Sequence, residues 1–116
     1  MMKRLLALAL LPLAFIPGLA SADMLVDGVK QVALCHLEAA DSASENEKLS
    51  AEAIAERAAD SCSLAYRPYL KAVEFLELSI GSNSEEAARA VSEAKASLQK
   101  QMREATLKRV AQNRGK

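Results

Sequence analysis

The chain has no tryptophan, two tyrosines, two phenylalanines and a single histidine among its 116 residues. So few rings leave little to stack on nucleobases or sugar faces, which argues against nucleic acid or carbohydrate as a partner. His36 alone cannot build the usual multi-histidine metal site, and the Cys-x-x-Cys-His pattern that anchors haem is missing. The four glycines form no phosphate-cradling loop. No run alternates apolar and polar residues between turn signals, so strands are not expected. No serine occupies a strand-turn-helix elbow. Carboxylate pairs such as Glu74 and Glu77 fall on a polar helix face, where solvation is the expected role. No catalytic residue, metal ligand or cofactor is assigned on these grounds, and an enzyme of unknown type is the least supported reading.

The longest apolar run is Leu5–Ile16. It is too short for a bilayer, which needs about 20 apolar residues. Lys3 and Arg4 precede it, Pro17-Gly18 breaks it, and Ala20-Ser21-Ala22 closes it with small side chains. Residues 1–22 are thus expected to be a cleaved secretory signal peptide, cut between Ala22 and Asp23. Asp23 stands where a lipoprotein would carry cysteine. A soluble protein of the periplasm or cell exterior is expected.

In that oxidising setting the two cysteines, Cys35 and Cys62, read as a structural disulfide. A mature chain of 94 residues makes one small domain, and domains of this size often depend on such a staple.

Composition and periodicity predict an all-α fold of three to four helices in residues 23–105, with a basic, frayed tail over residues 106–116. The first helix should run from Met24 to Asp41, with Leu25, Val29, Val32, Ala33, Leu37 and Ala40 on one face. Gly28, Cys35 and Ala39 form a strip of small residues beside that face. The second helix should start at the N-cap Ser50, with Leu49 and Ile54 spaced as a hydrophobic staple. Ala51, Ile54, Ala55, Ala58, Cys62 and Ala65 make its apolar stripe. Two small-residue faces with one cysteine each predict an antiparallel hairpin stapled by Cys35–Cys62. Pro68 marks a kink or a fresh start. The third helix, Pro68–Ile80, is the most hydrophobic and is expected to fill the core, ending at Gly81. The fourth should open on a capping box of Ser82 with Glu85, or on Ser84. Its stripe is Ala87, Val91, Ala94, Leu98, Met102 and Ala105, and Arg109 then falls on the same face.

Charge is segregated. Residues 23–86 carry thirteen acidic and five basic side chains, residues 87–116 two and eight. Arg89, Lys95, Lys100, Arg103, Lys108, Arg109, Arg114 and Lys116 are candidates for contact with an anionic surface such as lipid headgroups or lipopolysaccharide. They are scattered around the helix and lack an aromatic anchor. A solvated helix, or one laid against the acidic half of its own chain, is the competing role. His36 projects into the apolar face of the first helix; a packed histidine is expected, with pH sensing as the alternative. The leading functional expectation is a non-enzymatic envelope protein that acts through a protein partner as a structural, adaptor or chaperone-like component.

Overall fold

A computed structural model describes the backbone of residues 17–115 and the side chains of residues 23–115. The charged and apolar parts of the expected leader lie outside the described residues. The fold is all-α, with α1 at Pro17–Ser44, α2 at Ala51–Ser61, α3 at Arg67–Ser79 and α4 at Ser84–Arg114. A 3-10 turn, Ser63–Tyr66, joins α2 to α3. No strand occurs among the described residues.

The topology is simpler than the helix count implies. α1 and α4 are 28 and 31 residues long, each more than about 40 Å at 1.5 Å per residue. α2, the 3-10 turn and α3 lie end to end along a third leg. Successive contacts of α1 with that leg run backwards: Cys35 with Cys62, His36 with Tyr66, Gly28 with Tyr69. The third leg is therefore antiparallel to α1. α4 returns parallel to α1, since Val32 meets Leu98 and Met102, and Ala40 meets Val110. The result is an up-down-up bundle with a broken middle leg.

Local chemistry sets the ends of these elements. Ser50 caps α2, its hydroxyl accepting the Ala53 N–H at 3.1 Å, and Leu49 packs beside Ile54 as the staple spacing predicts. Pro68 marks a fresh start, in the first turn of α3, where a missing N–H is tolerated. Gly81 adopts a φ of 99° after α3, the left-handed geometry that glycine reaches without a Cβ penalty. The capping box of α4 is Asn83 with Glu86, not Ser82 with Glu85. Ser82 instead donates to the Glu77 carboxylate at 2.7 Å, which removes it from the cap.

The strip of small residues predicted on α1 is used. A Cβ on Gly28 would lie 2.8 Å from Tyr69 Cα, so α1 and α3 touch almost backbone to backbone there. Cys35 and Cys62 form the predicted disulfide, with Cα atoms 5.9 Å apart. Two apolar clusters fill the interior: Val32, Tyr66, Leu98 and Met102 at the middle, and Ala40, Ile54 and Val110 toward the α1 C-terminus.

Two expectations are corrected. α3 is not the core: Ala72 is its one fully buried residue. Because α2 and α3 share one leg, α3 packs sideways chiefly on α1 and α4, and its apolar circumference is wider than those neighbours cover. The second correction concerns residues 106–116, which do not form a frayed tail as far as they are described. α4 continues to Arg114 with Thr106 and Val110 at 0% and 1% exposure. The buried positions Leu98, Met102, Thr106 and Val110 advance by four, so the stripe drifts round the helix and leaves Arg109 at its edge. Thr106 enters the core because its hydroxyl donates to the Met102 carbonyl at 2.7 Å, which satisfies it without an outside partner.

Candidate interaction surface

The apolar circumference that α3 cannot bury faces outward. Phe75 is 53% exposed, Leu78 47% and Ile80 74%. Phe75 and Leu78 are one helical turn apart and share a face, and Ile80 caps the same end of the helix. Scattered surface apolar residues are ordinary, but three large ones fall here within six residues at the end of one helix, and exposed apolar surface of that kind is a candidate contact site. At the other end of α3, Leu64 and Met24 are also exposed, on the rim of an open hollow of about 380 Å³ beside Gly28 and Pro68.

The basic residues of α4 divide into two groups. Arg89, Lys95, Lys100, Arg103 and Lys108 are exposed. Arg109 and Arg114 are engaged within the fold. Arg109 meets the Asp41 carboxylate with Nε at 2.8 Å and Nη2 at 3.0 Å. That hydrogen bond, and then the carboxylate charge, raise the guanidinium pKa above its ordinary value. Asn113 donates to the same carboxylate and to the Ser44 hydroxyl. Arg114 donates to the Ser44, Asn46 and Leu49 carbonyls at 3.1, 2.9 and 2.7 Å. Those carbonyls end α1 and line the loop that follows it, so the C-terminus of α4 closes that loop. The internal pairing of the basic helix with an acidic side chain therefore holds for Arg109, while Arg114 is held by backbone carbonyls of the first half. Lys116 lies outside the described residues.

His36 is buried at 2% exposure, with Nε2 3.0 Å from the Tyr66 hydroxyl. The two rings meet edge to face, 5.8 Å between centroids. Desolvation lowers the His36 pKa and raises that of Tyr66, so both are neutral near pH 7. This pairing was not foreseen, because it joins residues 30 positions apart through a turn with no sequence signature. Among the described residues no three His, Cys, Asp or Glu side chains stand together as metal ligands, and no helix is long and apolar enough to cross a membrane. No family model, no curated protein and no solved structure matches the chain.

Proposed function

We propose that the chain is a non-enzymatic helical protein of the cell envelope, periplasmic or secreted after cleavage at Ala22–Asp23, that works by binding another protein as a structural, adaptor or chaperone-like component. The observation that carries this reading is the outward apolar end of α3. A domain this small has little apolar surface to spare, and here its most hydrophobic helix leaves Phe75, Leu78 and Ile80 uncovered. The formed disulfide fits an oxidising compartment.

The test is capture from an envelope extract with the wild-type chain and with a Phe75→Ser, Leu78→Ser, Ile80→Ser variant. These positions are exposed, so the variant should melt like the wild type. A partner retained by the first and lost by the second is the expected result. Recovery of no partner, together with no protection of an unfolding client from aggregation, would refute it.

The alternative is binding of anionic envelope components by α4, supported by the five exposed cations between Arg89 and Lys108. Deleting residues 106–116 would remove core residues, so the informative variant is Lys100→Ser, Arg103→Ser, Lys108→Ser. Salt-sensitive binding to acidic vesicles that this variant loses is expected under the alternative; salt-independent binding, or none, rejects it.

A further inference from the structure

His36 Nδ1 has no hydrogen-bond partner, and it is the one buried side-chain polar atom among the described residues left so. Its position makes that orphan consequential. His36 sits on α1 beside Cys35, which is tied to the end of α2. Its ring meets Tyr66 of the 3-10 turn, and Tyr66 packs in the central cluster with Leu98 and Met102 of α4. All three legs of the bundle converge there.

The neutral imidazole fits this place. Either Nε2–H donates to the Tyr66 oxygen, or the Tyr66 hydroxyl donates to Nε2, and one nitrogen alone stays unbonded. The imidazolium does not fit. Both of its nitrogens carry a proton, Tyr66 can accept only one of the two, and no carboxylate among the described residues is hydrogen-bonded to the ring.

The surroundings can be followed element by element. On α1, one turn either side, stand Val32, Ala33, Ala39 and Ala40; Glu38 is exposed, and Asp41 binds Arg109 and Asn113. On α2, Cys62 is held in the disulfide, and Arg57 and Asp60 are exposed. On α4, the parallel register sets Met102 and Thr106 at this level, the threonine hydroxyl already bonded to Met102, with Arg103 and Glu104 exposed. On α3, Arg67 is exposed. The titratable group within hydrogen-bonding distance of His36 is Tyr66, which stays neutral throughout the acid range.

We infer that the His36–Tyr66 contact is a proton-operated latch: protonation of His36 opens the central part of the α1–α4 seam around Tyr66, while Cys35–Cys62 holds α1 to the end of α2 and Arg109, Asn113 and Arg114 hold the C-terminal end of α4. Release uncovers Val32, Leu98 and Met102, an apolar surface distinct from the outer face of α3. Burial lowers the His36 pKa below 6.5. The stabilisation that the neutral ring provides is thus fully present above pH 6.5 and is lost as pH falls through the folded-state pKa.

The test compares the wild-type chain with His36→Gln, whose amide does not titrate, in denaturant and thermal unfolding between pH 7.5 and 4.5. Between pH 6.5 and the folded-state pKa the wild-type folding equilibrium constant should fall by up to about tenfold per pH unit through this one proton. The variant should lack that component. Parallel losses in the two proteins overturn the latch. Should the variant fail to fold, the wild-type imidazole resonances decide. A midpoint below 6.5 with loss of side-chain dispersion supports the proposal; a midpoint at or above 6.5, or dispersion retained through the transition, overturns it. Hydrogen exchange at low pH, corrected for intrinsic rates, reads the direction of release. Protection should drop along 98–106 before it drops along 51–61, and a uniform drop overturns the directional release.

Discussion

Breaking the Cys35–Cys62 bond should cost this fold a large part of its stability. The bond spans 27 positions. In the chain-entropy treatment, cross-linking a loop of that length removes about 12 cal/mol/K from the unfolded chain, or about 3.5 kcal/mol at room temperature. At 0.05–0.15 kcal/mol per residue, a domain of this length holds roughly 5–14 kcal/mol in total. Melting entropy near 2.1 cal/mol/K per residue converts the loss to a fall in Tm of roughly 15–20 °C. Reduction tests the cross-link alone. The Cys35→Ala, Cys62→Ala variant should fall further, because Cys62 is 1% exposed and its missing sulfur leaves a void. Circular dichroism at 222 nm, followed during heating of oxidised and fully reduced chain with thiols counted, measures both. The loss should begin at α2, which has 11 residues and three buried side chains. Helices shorter than about 12–15 residues are marginal on their own, so exchange protection should vanish there first. A Tm drop below about 5 °C on complete reduction would refute the reasoning and place the stability in the α1–α4 seam.

Three further outcomes are expected. Gly28→Ala would ordinarily steady a helix, but its Cβ would press on Tyr69 Cα at 2.8 Å and Cβ at 2.9 Å, so it should destabilise by about 1–3 kcal/mol; a raised Tm would show that α1 and α3 are not in such close contact. Val110→Ala, at a site 1% exposed, should cost about 2 kcal/mol, and a chain lacking residues 106–116 should lose more; an unchanged denaturation midpoint in either would restore the free tail. N-terminal sequencing of the exported protein should begin at Asp23, and an intact mass that includes residues 1–22 would reject the leader.

Periodicity and capping made much of the fold legible. The apolar face of α1, the Ser50 cap and the small-residue faces follow from spacings within a few turns, because a helix places residues i and i+4 together whatever the rest of the chain does; the disulfide followed from there being two cysteines to pair. The capping box was misplaced by one residue for a local reason: Ser82, Asn83 and Ser84 are all competent caps, and Ser82 bonds Glu77, five residues back, at the end of the preceding helix. The stripe was ended after Ala105 because Arg109 falls on the same face, but a step of four carries it on through Thr106 and Val110, and the internal hydrogen bond that lets Thr106 be buried is invisible in composition.

The proposed contact surface was half legible. The sequence marked α3 as the most hydrophobic helix but not how many neighbours it would have. That number depends on α2 and α3 sharing one leg, which only the packing of distant segments decides. The same holds for the cations of α4: composition put them on one helix, while the register against α1 turned Arg109 and Arg114 inward to Asp41 and the loop carbonyls and left five others in solvent. It holds also for His36, whose side of α1 was readable but whose partner, Tyr66, was not. By itself the sequence determined the helices and their faces, since each rests on local geometry carried by a few neighbouring residues, and the staple, since two cysteines allow one intramolecular pairing. Which faces stay bare, which charges are neutralised and which polar atom is stranded in the core were decided by tertiary structure, because each depends on residues that meet only after the chain has folded.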